Sequence, residues 1–173
     1  DFLKANWHLL EGYRSDQMKG MEHPEVQKPL EEGTEKLSLP AVDGDMYPEV
    51  GLQEVLESRR SVRRFSDEPV TLAELSFLLW YTQGVQKVVR EGLATLRTVP
   101  SAGARHPFET YLLVNDVTDL DPGTYRYLPL DNSLAHIGGQ KPPEEVIAGC
   151  HGQDFCGRCA VTFVWSVIPY RTE

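Results

Sequence analysis

The sequence predicts an α+β sandwich, in which helices come first and a mainly antiparallel sheet follows. Apolar residues recur at helical spacing between residues 51 and 83. From residue 108 onward the period changes to strand-like segments separated by turn residues. A chain of 173 residues, 40% of them hydrophobic and 25% charged, suffices for one globular domain with a core.

Two helices are predicted before the sheet. The first runs from Gly51 to Arg60, because residues 52, 55 and 56 are apolar and share one face. The second begins at a capping box, in which Thr71 and Glu74 each satisfy a free backbone N–H group. Leucines follow at positions 72, 75, 78 and 79, and Gly84 is expected to end this helix in a left-handed conformation.

Four segments are predicted to be strands. Aromatic and β-branched residues indicate strands over 108–114, 124–128 and 134–137, and a short helix is expected to open at Pro142 and Pro143. The last segment, Ala160–Ile168, is almost unbroken in apolar character and is expected to lie centrally in the sheet. Since the sequence stops soon afterwards, we expect the cover of the sheet's second face to lie outside it.

Residues 1–48 are expected to form an extended arm. A short amphipathic helix is possible over Phe2–Arg14, but the prolines and glycines that follow exclude long regular elements. An arm packed on a partner subunit and a disordered leader both fit this composition.

Composition and charge narrow the classes of function. A formal net charge of -9 and a pI near 5.0 disfavour general nucleic-acid binding. No apolar run approaches the roughly 18 residues of a membrane span, and the first residues lack the pattern of a signal peptide. Three cysteines do not make an even disulfide set, so the expected location is the reducing cytoplasm.

The three cysteines allow two further interpretations. Cys156 and Cys159 form a CxxC pair, with Cys150 nearby. A structural zinc site normally takes four ligands from two such pairs, and a redox dithiol normally opens a helix, whereas this pair runs into a strand. Ordinary thiols at the start of a strand are the favoured interpretation, with no metal site expected.

The first stretch suited to chemistry lies at residues 58–65. Four arginines occupy the six positions 59–64 of a chain that is acidic overall, with Ser61 between them. Guanidinium groups suit phosphate, and a hydroxyl adds a donor. Pairing of the arginines with Glu57, Asp67 and Glu68 on the surface explains the pattern equally well.

The second stretch, residues 99–109, is a loop of small residues between Pro100 and Pro107. Small side chains let backbone N–H groups approach a flat or charged ligand closely, and the prolines restrict the loop. It matches neither a P-loop nor the GxGxxG dinucleotide motif. His106 is a candidate catalytic acid, although a hydrogen-bonded structural histidine is the favoured interpretation.

Both stretches resemble motifs of a known protein family. Residues 59–65 look like the entry motif of the nitroreductase family of flavoproteins. Residues 100–107 with Glu109 resemble the second motif of its SagB-type dehydrogenase branch, as do the strand at 111–114 and the hairpin at 122–127. The similarity extends from about Leu52 to Thr172, and the two motifs are specific in this order and spacing.

The resemblance implies a nitroreductase-like α/β/α sandwich over residues 49–173, forming a homodimer with FMN at the subunit interface. By position, the phosphate and ribityl groups would be held by Arg59, Arg60, Ser61 and Arg63. The isoalloxazine ring, shared with the other subunit, would lie against Pro100, Ser101, Ala102 and Gly103. Family members continue beyond Glu173 through a helix and a glycine-rich segment, so this domain is expected to be truncated at its C-terminus.

The implied function is that of an FMN-dependent oxidoreductase. NAD(P)H would reduce the flavin, which would then reduce a nitroaromatic compound, a quinone or a similar small acceptor. No residue is nominated as a catalytic acid or base, because the flavin carries the chemistry. Two alternatives remain open: a non-catalytic protein that binds or sequesters FMN, and an interaction module whose arginines only pair with acidic groups.

Overall fold

The computed structural model describes residues 7–42, 44, 47 and 49–172. The helices are α1 (Leu52–Ser58), α2 (Leu72–Gln83) and α3 (Pro143–Gly149). The strands are β1 (Lys36–Ser38), β2 (Val85–Val89), β3 (Ala94–Arg97), β4 (Phe108–Val114), β5 (Gly123–Leu128), β6 (Ser133–Gly139) and β7 (Val161–Val167). Short 3-10 turns join several of these elements.

The main sheet has five strands in the order β1-β6-β5-β4-β7, and every pairing in it is antiparallel. This confirms the predicted α+β class with a mainly antiparallel sheet. β4 is an interior strand, because it pairs over its whole length with β7 and over residues 111–114 with β5. Strands β2 and β3 form a separate antiparallel hairpin.

The hydrophobic core lies between α2 and one face of the sheet. Leu75 and Leu79 of α2 are fully buried and belong to the same cluster as Leu112 and Val114 of β4. Tyr125, Tyr127 and Leu134 extend this cluster over β5 and β6. The core fixes β4, and therefore fixes the start of the strand into which the small-residue loop runs.

Helix α2 begins as predicted and ends differently. The Thr71 side chain accepts from the Glu74 N–H group, and the Glu74 carboxylate accepts from the Thr71 N–H group, so both halves of the capping box are present. Gly84, however, has φ -58° and ψ 135°, which is not left-handed. A Cβ atom there would lie 2.5 Å from the Trp80 carbonyl oxygen, so close packing and not backbone handedness is what favours glycine.

The expectation of a central position for the last strand is wrong. β7 lies at the end of the sheet, with β4 as its one neighbour among the described residues. Val164, Trp165 and Val167 of this strand are 41–50% exposed. The apolar run therefore reflects surface that this chain leaves uncovered, and not burial on both faces.

The predicted arm is only partly irregular. Residues 2–6 of the helix expected over Phe2–Arg14 lie outside the described residues, and Trp7–Leu10 form a 3-10 turn. Residues 36–38 form β1, which pairs with β6 of the same chain. This stretch is therefore an edge strand of the sheet.

None of the helices in the described part of the chain combines the length and the apolar character that crossing a membrane requires.

Candidate functional site

The arginine-rich stretch leaves α1 and runs over the surface. Residues 58–65 are all exposed. Arg60 Nη1 donates to the carbonyl oxygens of Glu57 and Arg59, each at 2.8 Å, and so satisfies acceptors at the end of the helix. Arg60 thus has a structural role at the end of α1, whereas Arg63 Nη1 makes one longer contact, at 3.4 Å, with the Ser61 carbonyl oxygen.

The pairing of these arginines with nearby acids, left open by the sequence, is not what the structure shows. Among the described residues, no carboxylate lies within ion-pair distance of Arg59, Arg60, Arg63 or Arg64. Four arginines close in sequence therefore have no acidic partner in the described chain. Such a donor set fits a phosphate ester, because guanidinium groups bind phosphate oxygens through paired N–H donors.

Two contacts with the Phe155 ring place this stretch near β7. The Arg63 guanidinium carbon lies 5.8 Å from the centroid of the Phe155 ring, and the Phe65 ring lies 6.4 Å from the same ring. Phe155 belongs to the turn before β7, whose Thr162 hydroxyl donates to the Cys156 carbonyl at 2.8 Å. The arginine stretch therefore approaches the beginning of β7.

The small-residue loop has a strained and well-defined backbone. Gly103, Ala104 and His106 have φ values of 62°, 56° and 43°, in the left-handed region. The Ser101 hydroxyl accepts from the His106 N–H group at 3.0 Å and so closes the loop on itself. In the described residues, the N–H groups of Ala102 and Gly103 donate to no backbone or side-chain acceptor, and both residues are exposed. These two N–H groups are therefore candidate donors to a ligand that lies over the loop.

Two anchors hold this loop to the domain. Arg105 Nε donates to the Arg171 carbonyl at 2.7 Å, and its Nη1 atom donates to the Leu93 carbonyl at 3.3 Å. The loop is therefore tied both to the β2–β3 hairpin and to the segment that follows β7. The hairpin was not anticipated from the sequence.

His106 is a buried structural residue. The residue is only 5% exposed. Burial, together with the positive charge of the nearby Arg97, lowers the pKa of His106 to about 4. A hydrogen bond to the Thr95 backbone acts in the opposite direction. The imidazole is therefore neutral at physiological pH, which fits the favoured interpretation from the sequence better than a role as catalytic acid.

Glu109 lies under the loop and forms a buried ion pair. Its carboxylate accepts from Arg171 Nη2, and the two side chains are 4% and 2% exposed. The same oxygen accepts from the Lys28 backbone N–H group at 3.0 Å. Glu109 thus joins the loop's strand to a segment before β1, a connection that no local pattern in the sequence indicates.

The structure does not bring the two stretches together within one chain. The arginine stretch approaches the beginning of β7, whereas the small-residue loop lies at its end, where Ile168 N–H donates to the Pro107 carbonyl at 2.8 Å. The seven residues of β7 separate these ends by about 20 Å. Within one chain, the two stretches therefore lie at opposite ends of β7.

The cysteines form a group of free, half-buried thiols at the turn before β7. Burial and a hydrogen bond with Cys150 raise the pKa of the Cys156 thiol. The Cys159 sulfur lies 3.1 Å from the Thr162 hydroxyl. A raised pKa at Cys156 is the opposite of what a reactive thiol needs, and it agrees with the interpretation of this residue as an ordinary thiol.

The fold and the two stretches define a class of protein: an α+β domain on an antiparallel sheet, with an exposed arginine stretch after a helix and a small-residue loop before β4. The chain belongs to the nitroreductase family, whose family model matches residues 56–173.

Individual relatives agree with this assignment. The chain is 34% identical over 139 residues to the protein named "Putative nitroreductase MJ1384" of Methanocaldococcus jannaschii, covering 80% of this chain and 65% of that relative. A putative nitroreductase of Ralstonia eutropha matches with a TM-score of 0.60 and 25% identity, covering 88% of this chain and 68% of the other.

A putative nitroreductase of Anabaena variabilis has the same fold, with a TM-score of 0.59 and 24% identity, over 78% of this chain and 27% of the other. The chain thus spans less than two thirds of the archaeal relative and about a quarter of the cyanobacterial one. The similarity confirms the nitroreductase-like fold.

Proposed function

We propose that this protein is an FMN-dependent oxidoreductase, which uses NAD(P)H to reduce a small organic acceptor such as a nitroaromatic compound or a quinone. One observation carries the proposal. Four exposed guanidinium groups lack acidic partners among the described residues, in a chain of net charge -9. A run of like charges with no acidic partners is best explained by an anion that it binds.

The bound flavin would supply the electron-transfer chemistry, and the chain would supply its binding and orientation. Arg59, Arg63 and the Ser61 hydroxyl would hold the phosphate and ribityl end. Arg60 would contribute less, because its Nη1 atom already serves two carbonyl oxygens.

The loop from Pro100 to Gly103 would hold the ring end of the flavin. The N–H groups of the exposed residues Ala102 and Gly103 have no acceptor in the described chain and would be its donors to the ring. Donors that need no reorganisation stabilise negative charge developing on a ring more effectively than mobile ones. We assign no acid or base to the protein, and the low pKa of His106 agrees with that assignment.

We propose that the working unit is a homodimer in which one flavin uses the arginines of one copy and the loop of the other. The positions of the arginine stretch and the small-residue loop at opposite ends of β7 support this arrangement. Apolar surface is also available for the second copy, since Leu52 and Leu56 of α1 are 74% and 67% exposed. The oligomeric state with and without FMN, measured by light scattering after gel filtration, tests it.

We further propose that the protein belongs to the SagB-type branch and acts in the reducing cytoplasm. The sequence of the loop with Glu109 supports the branch, and the three free thiols suit a reducing compartment.

The deciding experiment is the visible spectrum of the purified protein, followed by chromatography of the cofactor that heat releases. Bound FMN and steady NAD(P)H oxidation in the presence of a quinone are the expected results. Bound FMN without NAD(P)H oxidation would instead indicate a non-catalytic flavin-binding protein. A colourless protein that takes up no FMN when it is added would contradict the proposal and favour an interaction module.

A further inference from the structure

A segment before β1, Glu25–Pro29, lies across the domain and is held by its backbone; we call it the strap. Three arginines of the domain donate to its carbonyl oxygens: Arg171 to Glu25 at 2.8 Å, Arg97 to Val26 at 3.2 Å, and Arg126 to Lys28 and Pro29 at 2.8 and 3.0 Å. These arginines are only 2–8% exposed. Buried guanidinium groups are costly unless hydrogen-bonded, so the strap is part of the folded domain.

The strap also donates in the other direction. The Lys28 N–H group reaches the Glu109 carboxylate at 3.0 Å, on the oxygen that also accepts from Arg171. Glu109 is 4% exposed, so water does not easily replace a donor that is lost. The strap therefore completes the environment of the carboxylate that fixes Arg171.

Arg171 connects the strap to the small-residue loop. While its Nε atom holds Glu25, its Nη1 atom donates to the His106 carbonyl at 3.4 Å, and its own carbonyl accepts from Arg105 at 2.7 Å. The loop contains three residues with left-handed backbone, two of which are not glycine. Such a conformation persists only when the surroundings impose it.

We infer that the strap is a positioning element for the flavin-facing loop, acting through Glu109 and Arg171. This inference rests on the proposed function for its consequence, but its structural part can be tested without flavin. With the strap in place, the N–H groups of Ala102 and Gly103 keep the direction that the ring end of the ligand needs. Without it, the loop relaxes, and the ring loses affinity while the arginine stretch is unaffected.

The variant Lys28→Pro tests the inference. It removes the N–H group that donates a hydrogen bond to the Glu109 carboxylate, and it keeps the other residues of the strap. Lys28 precedes Pro29, so its backbone is already restricted to extended conformations that suit proline. Lys28→Ala is the matched control, since it removes the ammonium group and keeps the N–H. Gln27→Ala is a second control, because it frees the strap from the Leu130 N–H group and leaves Glu109 alone.

The first measurement is hydrogen exchange of the loop amides without flavin. Lys28→Pro should raise the exchange rate of the His106 amide about tenfold, the effect of losing one hydrogen bond to a charged group, and Lys28→Ala should leave it unchanged. In the unaltered protein, the Lys28 and His106 amides should open together. A His106 amide that stays protected while Lys28 exchanges freely would overturn the inference, even if the proline variant failed to fold.

The second measurement compares FMN with riboflavin, which lacks the phosphate. Lys28→Pro should weaken both ligands by the same factor of about ten, because the loss falls on the ring end. If the strap only stabilised the domain, Lys28→Pro would lower the melting temperature and leave both affinities unchanged. This result would overturn the inference. If the unaltered protein bound no flavin, the proposed function would fail, and the exchange measurement would still decide the role of the strap.

Discussion

Arg171 and Glu109, which lie 62 positions apart, form an ion pair with side chains only 2% and 4% exposed. The pair joins β4 to the segment after β7. Because a buried charge without its partner is strongly destabilising, the two residues are expected to behave as a unit.

Replacing one partner should therefore cost more than replacing both. Arg171→Met should lower the free energy of unfolding by about 3–5 kcal/mol, since it leaves the Glu109 carboxylate buried and uncompensated. Combining it with Glu109→Gln removes that charge and should restore part of the loss. Urea unfolding of the four proteins checks this, and a double variant that loses the sum of the two single losses would contradict it.

The buried His106 should make the protein acid-sensitive. Its pKa falls from an ordinary value near 6.5 to about 4 in the folded state, so between these values the unfolded chain binds more protons. The contribution of neutral His106 to the free energy of unfolding is fully present above pH 6.5. It is lost as the pH falls toward 4, and the loss is at most about 3 kcal/mol.

The substitution His106→Asn should flatten the pH dependence of stability in this range, because asparagine does not titrate. Asparagine also tolerates the left-handed backbone at this position, where φ is 43°. Thermal unfolding of both proteins at a series of pH values between 4 and 7 checks it. Profiles that stay parallel would show that another group is responsible.

The phosphate anchor can be separated from the ring contacts by comparing FMN with riboflavin. Arg59→Ala should weaken FMN about 10- to 100-fold, the loss of a charge-assisted hydrogen bond, and should leave riboflavin unchanged. Arg60→Ala should have a smaller effect, because part of its guanidinium group serves carbonyl oxygens.

Arg158→Ala is the matched control for a general change of charge. This exposed arginine pairs with Asp154 at 3.8 Å and lies outside the arginine stretch. Fluorescence titration of the flavin gives all the affinities. An equal loss of FMN affinity in the Arg59 and Arg158 variants would argue against a phosphate site at residues 59–63.

Two adjacent leucines of α2 should differ sharply in their effect on stability. Leu79 is fully buried against the sheet, whereas Leu78 is 43% exposed. Leu79→Ala should cost about 2–5 kcal/mol through lost burial and a cavity, and Leu78→Ala should cost less than about 1 kcal/mol. Denaturant midpoints at an unchanged slope give both values, and similar costs would mean that α2 is rotated from its described position.

Local patterns predicted much of this fold. The capping box of Thr71 and Glu74, the strand over 108–114 and the turn before β5 are each encoded by residues adjacent in sequence. The β2–β3 hairpin was missed because Gln86 and Lys87 interrupt its apolar residues, although Gly92, with φ 97°, marks its turn. The assignment of β7 failed because an apolar run does not say whether a covering surface belongs to the same chain.

The candidate site was predictable only as two separate stretches. Their residue types indicated phosphate and a flat ring, but the absence of acidic partners among the described residues became visible only in three dimensions. The links from Glu109 to Arg171 and to Lys28 span 62 and 81 positions. Contacts of that range are set by the packing of the sheet, so no spacing along the chain reveals them.

The position of β7 has a practical consequence. Its seven residues, Val161–Val167, carry no charge, and its outer edge has no neighbour in the described structure. An uncharged, apolar strand with free backbone donors and acceptors is a template for intermolecular β-sheet growth. Aggregation of the purified protein should therefore begin at this edge, and a lysine introduced at the half-exposed Trp165 should keep more of it in solution.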